Sequence, residues 1–559
     1  MKNQFLFPFL IIFFLLTSPL SPQYFQWASS MPGHSTAPVP QGNGIATDYA
    51  GNIFVCGQFK HSIDFGGGIK FTTNANNTSP FIARYDAQGN CIWAKKGTGY
   101  ATDMALGIVT DSAGYSYVTG IFDSDSIFFG NLKINRNGSN DDVFIVKVDP
   151  NGDFIWAKSA GGILGERSES ISMDKLGHIY IGGRYSGSAT FDDKIISSVN
   201  GSTDAFLAKY DTSGNCIWVK SGGGTGSDFI RGVSTDPDGY TFITGSIGSA
   251  GATFGTSQIG SYGNLDIFVC LYDPIGNCVW AKHGGGSAGD YGLAVSTANG
   301  MGCFITGYAA KPGLGANIIY FDQVQLTPIG SHDIFIAKYN LAGEVVWAKL
   351  AGAPDYDRGH GIFTPDNNQV YVTGFCADPA LFDTVVVHSV ENSWDPIIAY
   401  YTGSQECKFV RRGGGNAEDV GLAITGDRQG NIYITGYCSS NIGFFDADSV
   451  IMGAFVAKLV PTGTNVNDDY IPGEYALSQN YPNPFNPVTV INFQTGVSSH
   501  VTLKLFDVLG NEVATIVNGE KSSGRYEVQF DATGLSSGVY FYRLQAGNYI
   551  ETKKMMVVK

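Results

Sequence analysis

The sequence predicts an all-β protein, a seven-bladed β-propeller of four-stranded blades followed by a small C-terminal antiparallel β-sandwich. The first observation is a strand-sized phrase that recurs at steps of 66, 63, 62, 62, 67 and 62 residues. A fixed period of this length indicates one supersecondary unit that has been copied and stacked. The second observation is that glycine is abundant, at 74 residues, while only 15% of residues are charged. Many short strands joined by tight turns have this balance. The third is an aromatic anchor in every copy: Trp27, Trp93, Trp156, Trp218, Trp280, Trp347 and Phe409.

Each repeat is predicted to contain four strands in chain order. In the first repeat these are Gly44–Asp48, Ile53–Gly57, a strand that starts at Phe81 and the strand of Trp93. They are short, β-branched or aromatic, and bounded by turn residues, which is typical of strands. The D-x-x-G-N segments between strands, such as Asp86–Asn90, predict type I turns rather than calcium loops, because Asp bonds its own backbone and Gly accepts a left-handed conformation. A further stretch before the third strand ends in phenylalanine: Phe65, Phe129, Phe191, Phe254, Phe321, Phe382 and Phe445.

The two ends of the repeat array predict how the ring closes. The chain enters on a lone anchor strand, Phe25–Ser29, and the last copy ends at Phe455–Leu459 without an anchor strand. We therefore expect these two segments to pair. Counting back from the hairpin turn places Ala83 opposite Trp93, and small residues facing large rings predict that the anchors are inter-blade core rather than an exposed sugar-stacking platform. The same count places these residues opposite the other anchors: Val146, Ala208, Cys270, Ala337, Ala399 and Ala457.

Outside the repeats, the sequence predicts three further segments. Residues 1–22 are predicted to be a signal peptide, because an apolar run from Phe5 to Leu16 follows one lysine and is too short to span a membrane. No other segment is apolar enough for a transmembrane helix. The propeller is assigned to 24–463, a linker rich in Pro, Gly, Asn and Asp to 464–478, and the sandwich to 479–559.

The repeat phrases GNxYVTG, DxFIAKYD and GNxxWAK resemble the bacterial β-propeller repeat family of secreted, multi-repeat proteins. The resemblance covers roughly residues 24–463. It implies the propeller fold, and it provides no catalytic residues, because that family has none in common.

The tail carries four motifs in order: YPNPFNP, LGNEV at Leu509–Val513, SSGVYFYRL at Ser536–Leu544 and a basic end at Thr552–Lys559. They closely resemble the C-terminal sorting domain of type IX secretion substrates. The resemblance implies a Gram-negative origin, Sec export to the periplasm and passage over the outer membrane, followed by release or anchoring at the cell surface. The type IX machinery is then the expected partner. The alternative is an ordinary adhesive sandwich.

Charge and cysteine content exclude two other classes of protein. The net charge of −15 excludes the basic surface that nucleic-acid binding needs, although it could favour cations or basic partners. The nine cysteines contain no C-x-x-C pair, and Cys91, Cys216, Cys278 and Cys407 each stand two residues before an anchor in a different repeat, which predicts small buried apolar residues rather than zinc ligands. One bridge, from Cys407 to Cys376 or Cys438, stays open.

Two sets of acids recur on the face opposite the D-x-x-G-N turns. One hypothesis is that they cap the crossovers between strands by accepting backbone N–H bonds. The other is a cation-attracting rim around the channel mouth. The first set follows each anchor by ten residues, with Ala37 breaking it in the first copy: Asp103, Glu166, Asp228, Asp290, Asp357 and Asp419. The second set begins the third strands: Asp142, Asp204, Asp266, Asp333 and Asp395.

No motif predicts catalysis. Gly285–Gly289 fits G-x-S-x-G but lacks the strand-turn-helix of a nucleophile elbow, and Gly222–Gly224 has no following helix to bind phosphate. The favoured function is a non-catalytic, exported propeller that binds a glycan or protein, with specificity expected in the long connection Ala309–Phe321. The alternatives are a secreted hydrolase or lyase of polysaccharide and a purely structural adhesin. No catalytic residue or cofactor is predicted, and a bound divalent cation stays open.

Overall fold

The computed structural model describes residues 24–460 and 476–558, apart from 35–37, 75–76, 249–251, 298–299, 312–317, 367–368, 390–392, 447, 478, 481–482, 496–498, 522–523 and 548. The described residues form two compact units, one within Gln23–Pro461 and one within Thr462–Lys559. The predicted signal peptide, most of the predicted linker, Ala37 and the middle of the connection Ala309–Phe321 lie outside the described residues. Among the described residues, no helix has the length and apolar character needed to cross a membrane.

The first unit is a seven-bladed β-propeller whose blades are antiparallel four-stranded sheets, which confirms the predicted fold class. In blades 1 to 6 the strands follow the chain from the channel outward, and in blade 7 the N-terminal strand is outermost. Blade 1 contains Gln41–Thr47, Ile53–Lys60, Thr78–Tyr85 and Cys91–Thr98; blade 2 Asp103–Thr110, Ser116–Phe122, Asp142–Val148 and Phe154–Gly162; blade 3 Arg167–Met173, Ile179–Ser186, Thr203–Tyr210 and Cys216–Gly223; blade 4 Phe229–Thr235, Thr241–Ile247, Asp266–Tyr272 and Cys278–Gly285; blade 5 Tyr291–Thr297, Cys303–Ala310, His332–Tyr339 and Val345–Ala351; blade 6 Arg358–Asp366, Gln369–Cys376, Asp395–Thr402 and Cys407–Arg412; blade 7 Asp419–Gly426, Ile432–Phe445, Asp448–Leu459 and Phe25–Pro32.

The ring closes through the N-terminal strand, as the sequence predicts. Phe25–Pro32 pairs with Asp448–Leu459 and supplies the fourth strand of blade 7. The first strand of blade 1, Gln41–Thr47, contacts the first strands of both blade 2 and blade 7. The innermost strands therefore form an unbroken circle around the channel.

A small hairpin between the second and third strands of each blade reaches back to the preceding blade. Its phenylalanine is buried, and in blade 2 Phe129 pairs with Gly97, near the end of the fourth strand of blade 1. A Cβ atom on Gly222 would lie 2.2 Å from the Phe254 ring, and one on Gly413 would lie 2.3 Å from the Phe445 ring, so these two contacts require glycine. The hairpins of blades 1 to 6 are Ser62–Asp64 with Lys70–Thr72, Ser126–Phe129 with Leu132–Asn135, Ser188–Phe191 with Lys194–Ser197, Ala252–Phe254 with Ser257–Ile259, Ile319–Phe321 with Val324–Leu326, and Ala380–Phe382 with Val385–Val387. In blade 7 the extended ends of the second and third strands take this role, and a single 3-10 turn occurs at Val199–Gly201.

The predicted pairing of small residues with the anchors is wrong by one position. Arg84, not Ala83, lies opposite Trp93, because Ile92 is an unpaired bulge residue in the hairpin. The register shift recurs in the other blades, so none of the predicted small residues faces an anchor. The observed partners of the other anchors are Lys147, Lys209, Leu271, Lys338, Tyr400 and Lys458.

The anchors nevertheless lie between blades, through a contact that the sequence analysis did not anticipate. The indole N–H of Trp93 donates to the carbonyl of Pro150, 3.0 Å away in the D-x-x-G turn of the next blade. The ring lies over Gly152, whose φ of 90° a side chain rarely adopts. The remaining tryptophans donate to the second residue of the next turn in the same way: Ala87, Thr212, Pro274, Leu341 and Gly403 accept these bonds.

The one anchor that is not tryptophan is explained by ring closure. Phe409 belongs to blade 6, and its neighbour, blade 7, has no turn between its third and fourth strands because the two ends of the propeller chain meet there. An indole at this position would find no turn carbonyl. Phe409 packs instead against Tyr400, with ring centroids 5.3 Å apart, beside the cluster that contains Phe25.

The second unit is the predicted sandwich of two antiparallel sheets. One contains Ala476–Leu477, Val488–Thr495 and Gly524–Asp531, and the other contains Glu512–Lys521, Ser499–Phe506, Gly538–Ala546 and Tyr549–Val557. Their facing side chains make a buried core that includes Ile491, Leu503, Tyr542 and Met555. Asp507 holds a D-x-x-G-N turn of the propeller type by accepting the backbone N–H groups of Leu509 and Asn511.

The cysteines are all free thiols. Seven are buried, and Cys91 and Cys278 are half-buried. Neither of the two bridges that the sequence left open for Cys407 forms. The thiols fill space in the strands, as their separation among the repeats predicts.

Candidate functional site: the mouth of the central channel

The first set of recurring acids lies beneath the surface at the crossovers. Asp290 shows the arrangement: its carboxylate accepts the backbone N–H of Gly286 at 2.6 Å and that of Ala310 at 2.8 Å. Asp103 accepts the backbone N–H groups of Asp123 and Ser124, together with the Ser124 hydroxyl. Every acid of this set has an exposed fraction of 0%. These carboxylates join the first strand of one blade to the backbone of the crossovers.

The second set is equally buried and binds the loop before each third strand. Asp266 accepts the backbone N–H of Gly263 at 3.0 Å, and Asp204 accepts that of Val199 at 3.0 Å. Asp395 pairs instead with the guanidinium of Arg412 at 2.5 Å. An exposed acidic rim therefore does not form from Asp103, Glu166, Asp228, Asp290, Asp357, Asp419, Asp142, Asp204, Asp266, Asp333 and Asp395, all of which are at most 1% exposed. The backbone needs these acids at the crossovers of every blade, which explains their regular spacing.

Burial also weakens the negative charge of these groups. It raises the pKa of Asp290 and of Asp357 to about 7, and that of Glu166 to about 8. Asp142, beside Glu166, has its pKa raised to about 7 for the same reason. Near neutral pH a substantial fraction of these carboxyls carries a proton, so they contribute less negative charge to the surface above them.

The channel that the innermost strands enclose has a volume of about 300 Å³ and is lined by three residues of each first strand. The deepest of the three is a β-branched residue, with an exposed fraction below 10% in six blades, so the channel is apolar at this level. Above it lies a layer of glycine, alanine or serine, where the strands approach closely; a Cβ on Gly44 would lie 3.3 Å from the Cα of Gly107. The apolar layer consists of Ile45, Ile108, Ile171, Val233, Val295, Ile362 and Ile424.

The first of the three lining residues differs from blade to blade. It lies toward the crossover face, where every first strand begins, near the residue two positions before it and that residue's partner on the second strand. In blades 3 to 6 these positions carry charged and aromatic groups. With His332, at the start of a third strand, we call them the arginine–aromatic mouth, which consists of Arg167, Glu169, Arg184, Phe229, Arg231, Tyr291, Tyr308, His332, Arg358 and His360. Of these, Glu169, Arg231 and His360 line the channel itself.

Three arginines meet around a single carboxylate in blades 3 and 4. Arg167 Nε lies 2.8 Å from Glu169 Oε1, and Arg231 Nη1 donates to the same oxygen at 3.1 Å. Arg184, opposite Arg167 in the sheet, lies over the Phe229 ring at 5.1 Å from its centroid. Among the described residues Arg184 forms no ion pair, so this part of the mouth has an excess of positive charge.

The fourth arginine lies over aromatic rings in blades 5 and 6. Arg358 is 4.5 Å from the centroid of Tyr308, and it contacts His332 Nδ1 at 3.2 Å. His332 stacks on the same tyrosine with ring centroids 4.5 Å apart. Burial, with the nearby Arg358, lowers the pKa of His332 and of His360 to about 4. Both imidazoles are therefore neutral at pH 7, and Arg358 has no anionic partner among the described residues.

The sequence analysis did not anticipate these residues, although a signal for them is present. Seven of the ten stand 11 or 13 residues after the anchors, beside the acids at position 10; Arg184, Tyr308 and His332 do not. The residues at these two positions change from copy to copy: Met104, Arg167, Phe229, Tyr291, Arg358 and Val420 at the first, and Leu106, Glu169, Arg231, Leu293, His360 and Leu422 at the second. Variation inside an otherwise regular repeat is the pattern that indicates them.

Comparison with known proteins assigns the C-terminal unit. Residues 479–559 match the family described as Secretion system C-terminal sorting domain. This unit is therefore a secretion sorting domain. It indicates that the chain is cargo of a type IX secretion route, handled by that machinery and exported to the cell surface or medium of a Bacteroidetes-type Gram-negative bacterium.

The propeller has distant relatives. Over 324 residues, 47% of this chain and 23% of the other, it is 24% identical to an uncharacterized WD repeat-containing protein of Acanthamoeba polyphaga mimivirus. It is 20% identical over 168 residues to the regulatory protein FlaEY of Caulobacter vibrioides, covering 30% of this chain and 17% of that one. The chain thus spans less than a quarter of the length of these curated relatives.

Among solved structures, PorZ of Porphyromonas gingivalis, a surface component of the type IX secretion system, is 11% identical, with 91% of this chain and 73% of PorZ covered and a TM-score of 0.28. A fungal alcohol oxidase solved with copper is also 11% identical, with 95% and 98% covered and a TM-score of 0.37. Both scores are low, and the fold assignment depends on the seven sheets described above.

The chemistry of the mouth differs from that of a metal centre. Within the described part of the chain, no group of three or more His, Cys, Asp or Glu side chains is placed to hold a metal ion. The divalent cation that the sequence left open therefore has no candidate site among these residues. The mouth instead presents guanidinium groups on rigid rings, an arrangement that binds oxyanions.

Proposed function

We propose that this chain is an exported, non-catalytic binding protein whose ligand site is the arginine–aromatic mouth of the propeller. The single observation that supports this proposal most is the convergence of four arginines and several aromatic rings at positions that the scaffold leaves free to vary. The signal peptide, the Sec step and the secreted β-propeller repeat family that the sequence resembles are consistent with it.

The geometry favours binding over catalysis. Guanidinium groups remain charged under all physiological conditions, so they hold anions but do not exchange protons. The two histidines of the mouth have pKa values near 4 and contact arginine or aromatic rings rather than a carboxylate partner. A glycosidase needs two carboxyl groups on either side of one bond, whereas Glu169 is the one acid of the mouth.

Screening the purified mature protein on arrays of glycans and surface proteins tests this function. We expect at least one ligand, whose signal disappears when Arg231 and Arg358 are both changed to Gln. The same protein is incubated with a panel of polysaccharides, and sustained production of shorter products would overturn the non-catalytic assignment.

A chain without residues 479–559 should accumulate in the periplasm instead of the medium or cell surface, which tests the export route.

A further inference from the structure

The charges of the arginine–aromatic mouth are not balanced within the described residues. Arg167 and Arg231 pair with Glu169, and neither Arg184 nor Arg358 forms an ion pair among the described residues, so these five residues carry a net charge of about +3 in a chain whose total is −15. Asp141 is within electrostatic reach of Arg184 but forms no ion pair with it. The excess positive charge in a concave site favours an anionic ligand, because field lines from the clustered charges concentrate there.

The guanidinium groups are held in place before any ligand arrives. Phe229 lies under Arg184 at 5.1 Å and under Arg231 at 5.8 Å, and Tyr308 lies under Arg358 at 4.5 Å. Stacking on a ring orients the planar fork and lowers the entropy lost when it binds an oxyanion. Burial, together with the neighbouring Arg231 and Arg167, lowers the pKa of Arg184 below its usual value, although the charge of Glu169 opposes this shift.

The shape of the channel limits how much of a ligand can enter. The volume of about 300 Å³ and the apolar layer at Ile171 and Val233 leave room for one small residue above that layer. A ligand must therefore enter by its end. Its polar groups would meet the amide of Asn43 and the hydroxyl of Ser170, which are among the residues that line the channel.

We propose that the mouth binds the acidic terminal residue of a glycan, a sugar that carries a carboxylate or a sulfate. The oxyanion is held by Arg184, Arg231 and Arg358, the hydroxyl groups meet the amide and serine groups, and the C–H face packs on the leucines of the apolar half. The arginines, polar side chains and leucines favour a sugar over an acidic peptide, because a single pyranose combines an oxyanion, hydroxyl groups and an apolar C–H face in a volume this small. The inference rests on the proposed function and names the ligand class of the same site.

Isothermal titration of the full mature chain with matched probes tests the proposal. The probes are an oligosaccharide ending in glucuronate, one ending in a sulfated sugar, the same oligosaccharide ending in glucose, and an acidic peptide of equal charge. We expect one or both acidic glycans to bind and to weaken as salt is raised, with no binding of the neutral glycan or the peptide. The uronate and sulfate arms identify which oxyanion is preferred.

Substitutions then locate the site. Arg184→Gln and Arg358→Gln should each weaken the acidic glycan about tenfold or more, since each removes a charge-assisted hydrogen bond. Arg358→Lys should recover part of the loss, because it keeps the charge without the fork. The matched control is Arg428→Gln, which removes an arginine over Tyr49 near the D-x-x-G-N turns of the opposite face and should leave affinity unchanged. Near-ultraviolet circular dichroism verifies that each variant is folded.

Three outcomes would overturn the proposal: equal binding of neutral and acidic glycans, binding of the peptide alone, or affinity that is unchanged in both glutamine variants. In the first two cases the protein still binds a ligand and the proposed function survives. Unchanged affinity in both glutamine variants would also place the ligand outside the mouth, and of the proposed function only the binding role would remain. Absence of binding by every probe also rejects the acidic glycan. If the arrays then yield no ligand and the polysaccharide panel shows turnover, the proposed function fails as well.

Discussion

The two faces of the propeller differ in how strictly they repeat. On the hairpin face, the turn of each of six blades receives the indole of the preceding blade, and four of these turns are of the D-x-x-G type. On the crossover face, the acids also recur, yet the residues that directly follow them in the first strands change from Met104 to Arg167 to Phe229. The repeated residues hold the blades together, and the varied residues are available for recognition.

The acidic residues on the two faces also differ in burial and in the direction of their pKa shifts. Asp86, in a D-x-x-G-N turn, is near solvent and accepts several N–H bonds, which lower its pKa. Burial raises the pKa of the crossover acids Glu166 and Asp142, and Glu166 Oε1 and Asp142 Oδ1 have no hydrogen-bond partner among the described residues. Folding therefore favours the charged form of a turn acid such as Asp86 and the protonated form of a crossover acid such as Glu166.

The largest effect is expected where the scaffold is most tightly packed. Gly222→Ala places a methyl group against the buried Phe254 ring, where a Cβ would come within 2.2 Å. We expect the free energy of unfolding to fall by about 3 kcal/mol, measured by denaturant titration. Gly260→Ala, which meets no atom within 4 Å, is the control and should change stability by less than about 0.5 kcal/mol. Equal effects of the two changes would contradict the role assigned to the small hairpins.

A smaller loss is expected from one inter-blade contact. Trp280→Phe removes the N–H that donates to the Leu341 carbonyl at 2.9 Å, and it should cost about 1–2 kcal/mol. Phe409→Trp is the reverse change at the interface without a turn, and it should bring no gain in stability. A gain comparable to the loss at Trp280 would show that the turn is not what selects tryptophan.

The pH dependence of stability should separate the two kinds of acid. The pKa of Glu166 rises from its ordinary value of 4.5 to about 8 on folding, so the folded state binds more protons between these values. Stability should therefore increase as the pH falls from 8 to 5, seen as a rising Tm. Glu166→Gln imitates the protonated acid and should raise stability by about 1 kcal/mol at pH 8, with no effect at pH 5.

Asp86→Asn provides the opposite case on the hairpin face. Its pKa is lowered in the folded protein, so its contribution is present above its unfolded pKa and is lost as the pH falls through the acidic range. The substitution should destabilise the protein at pH 7, and it should flatten the dependence of the free energy of unfolding on pH only in the acidic range. Identical pH profiles for the Glu166 and Asp86 variants would remove the distinction between the faces.

The smallest effect on stability is expected at the mouth itself. Glu169→Gln removes the one carboxylate between Arg167 and Arg231. Because the two arginine side chains are partly exposed, the free energy of unfolding should change by less than about 1 kcal/mol. Affinity for an acidic glycan should instead rise about two- to fivefold at low salt, because a competing negative charge is lost. Titration at two salt concentrations measures this, and a drop in affinity would indicate that Glu169 orients the arginines.

Part of this structure could be predicted from the order of residues along the chain. The period, the anchors and the D-x-x-G-N turns are local patterns, and they recur in successive repeats. Seven blades and ring closure through Phe25–Ser29 follow from them. The register of the hairpins could not be predicted, because the bulge at Ile92 depends on how the anchor ring reaches the next blade. That contact joins residues 57 apart, from Trp93 to Pro150.

The sequence by itself determined the modules and the destination of the protein: copied sheets, a closed ring and a sorting domain with ordered motifs. Only the tertiary structure decided where charge is exposed. Burial placed the recurring acids under the surface, and circular closure brought Arg184, Arg231 and Arg358 from three different blades to one opening. The physical reason is that strand formation depends on neighbours in the chain, whereas exposure and charge clustering depend on which strands the fold places side by side.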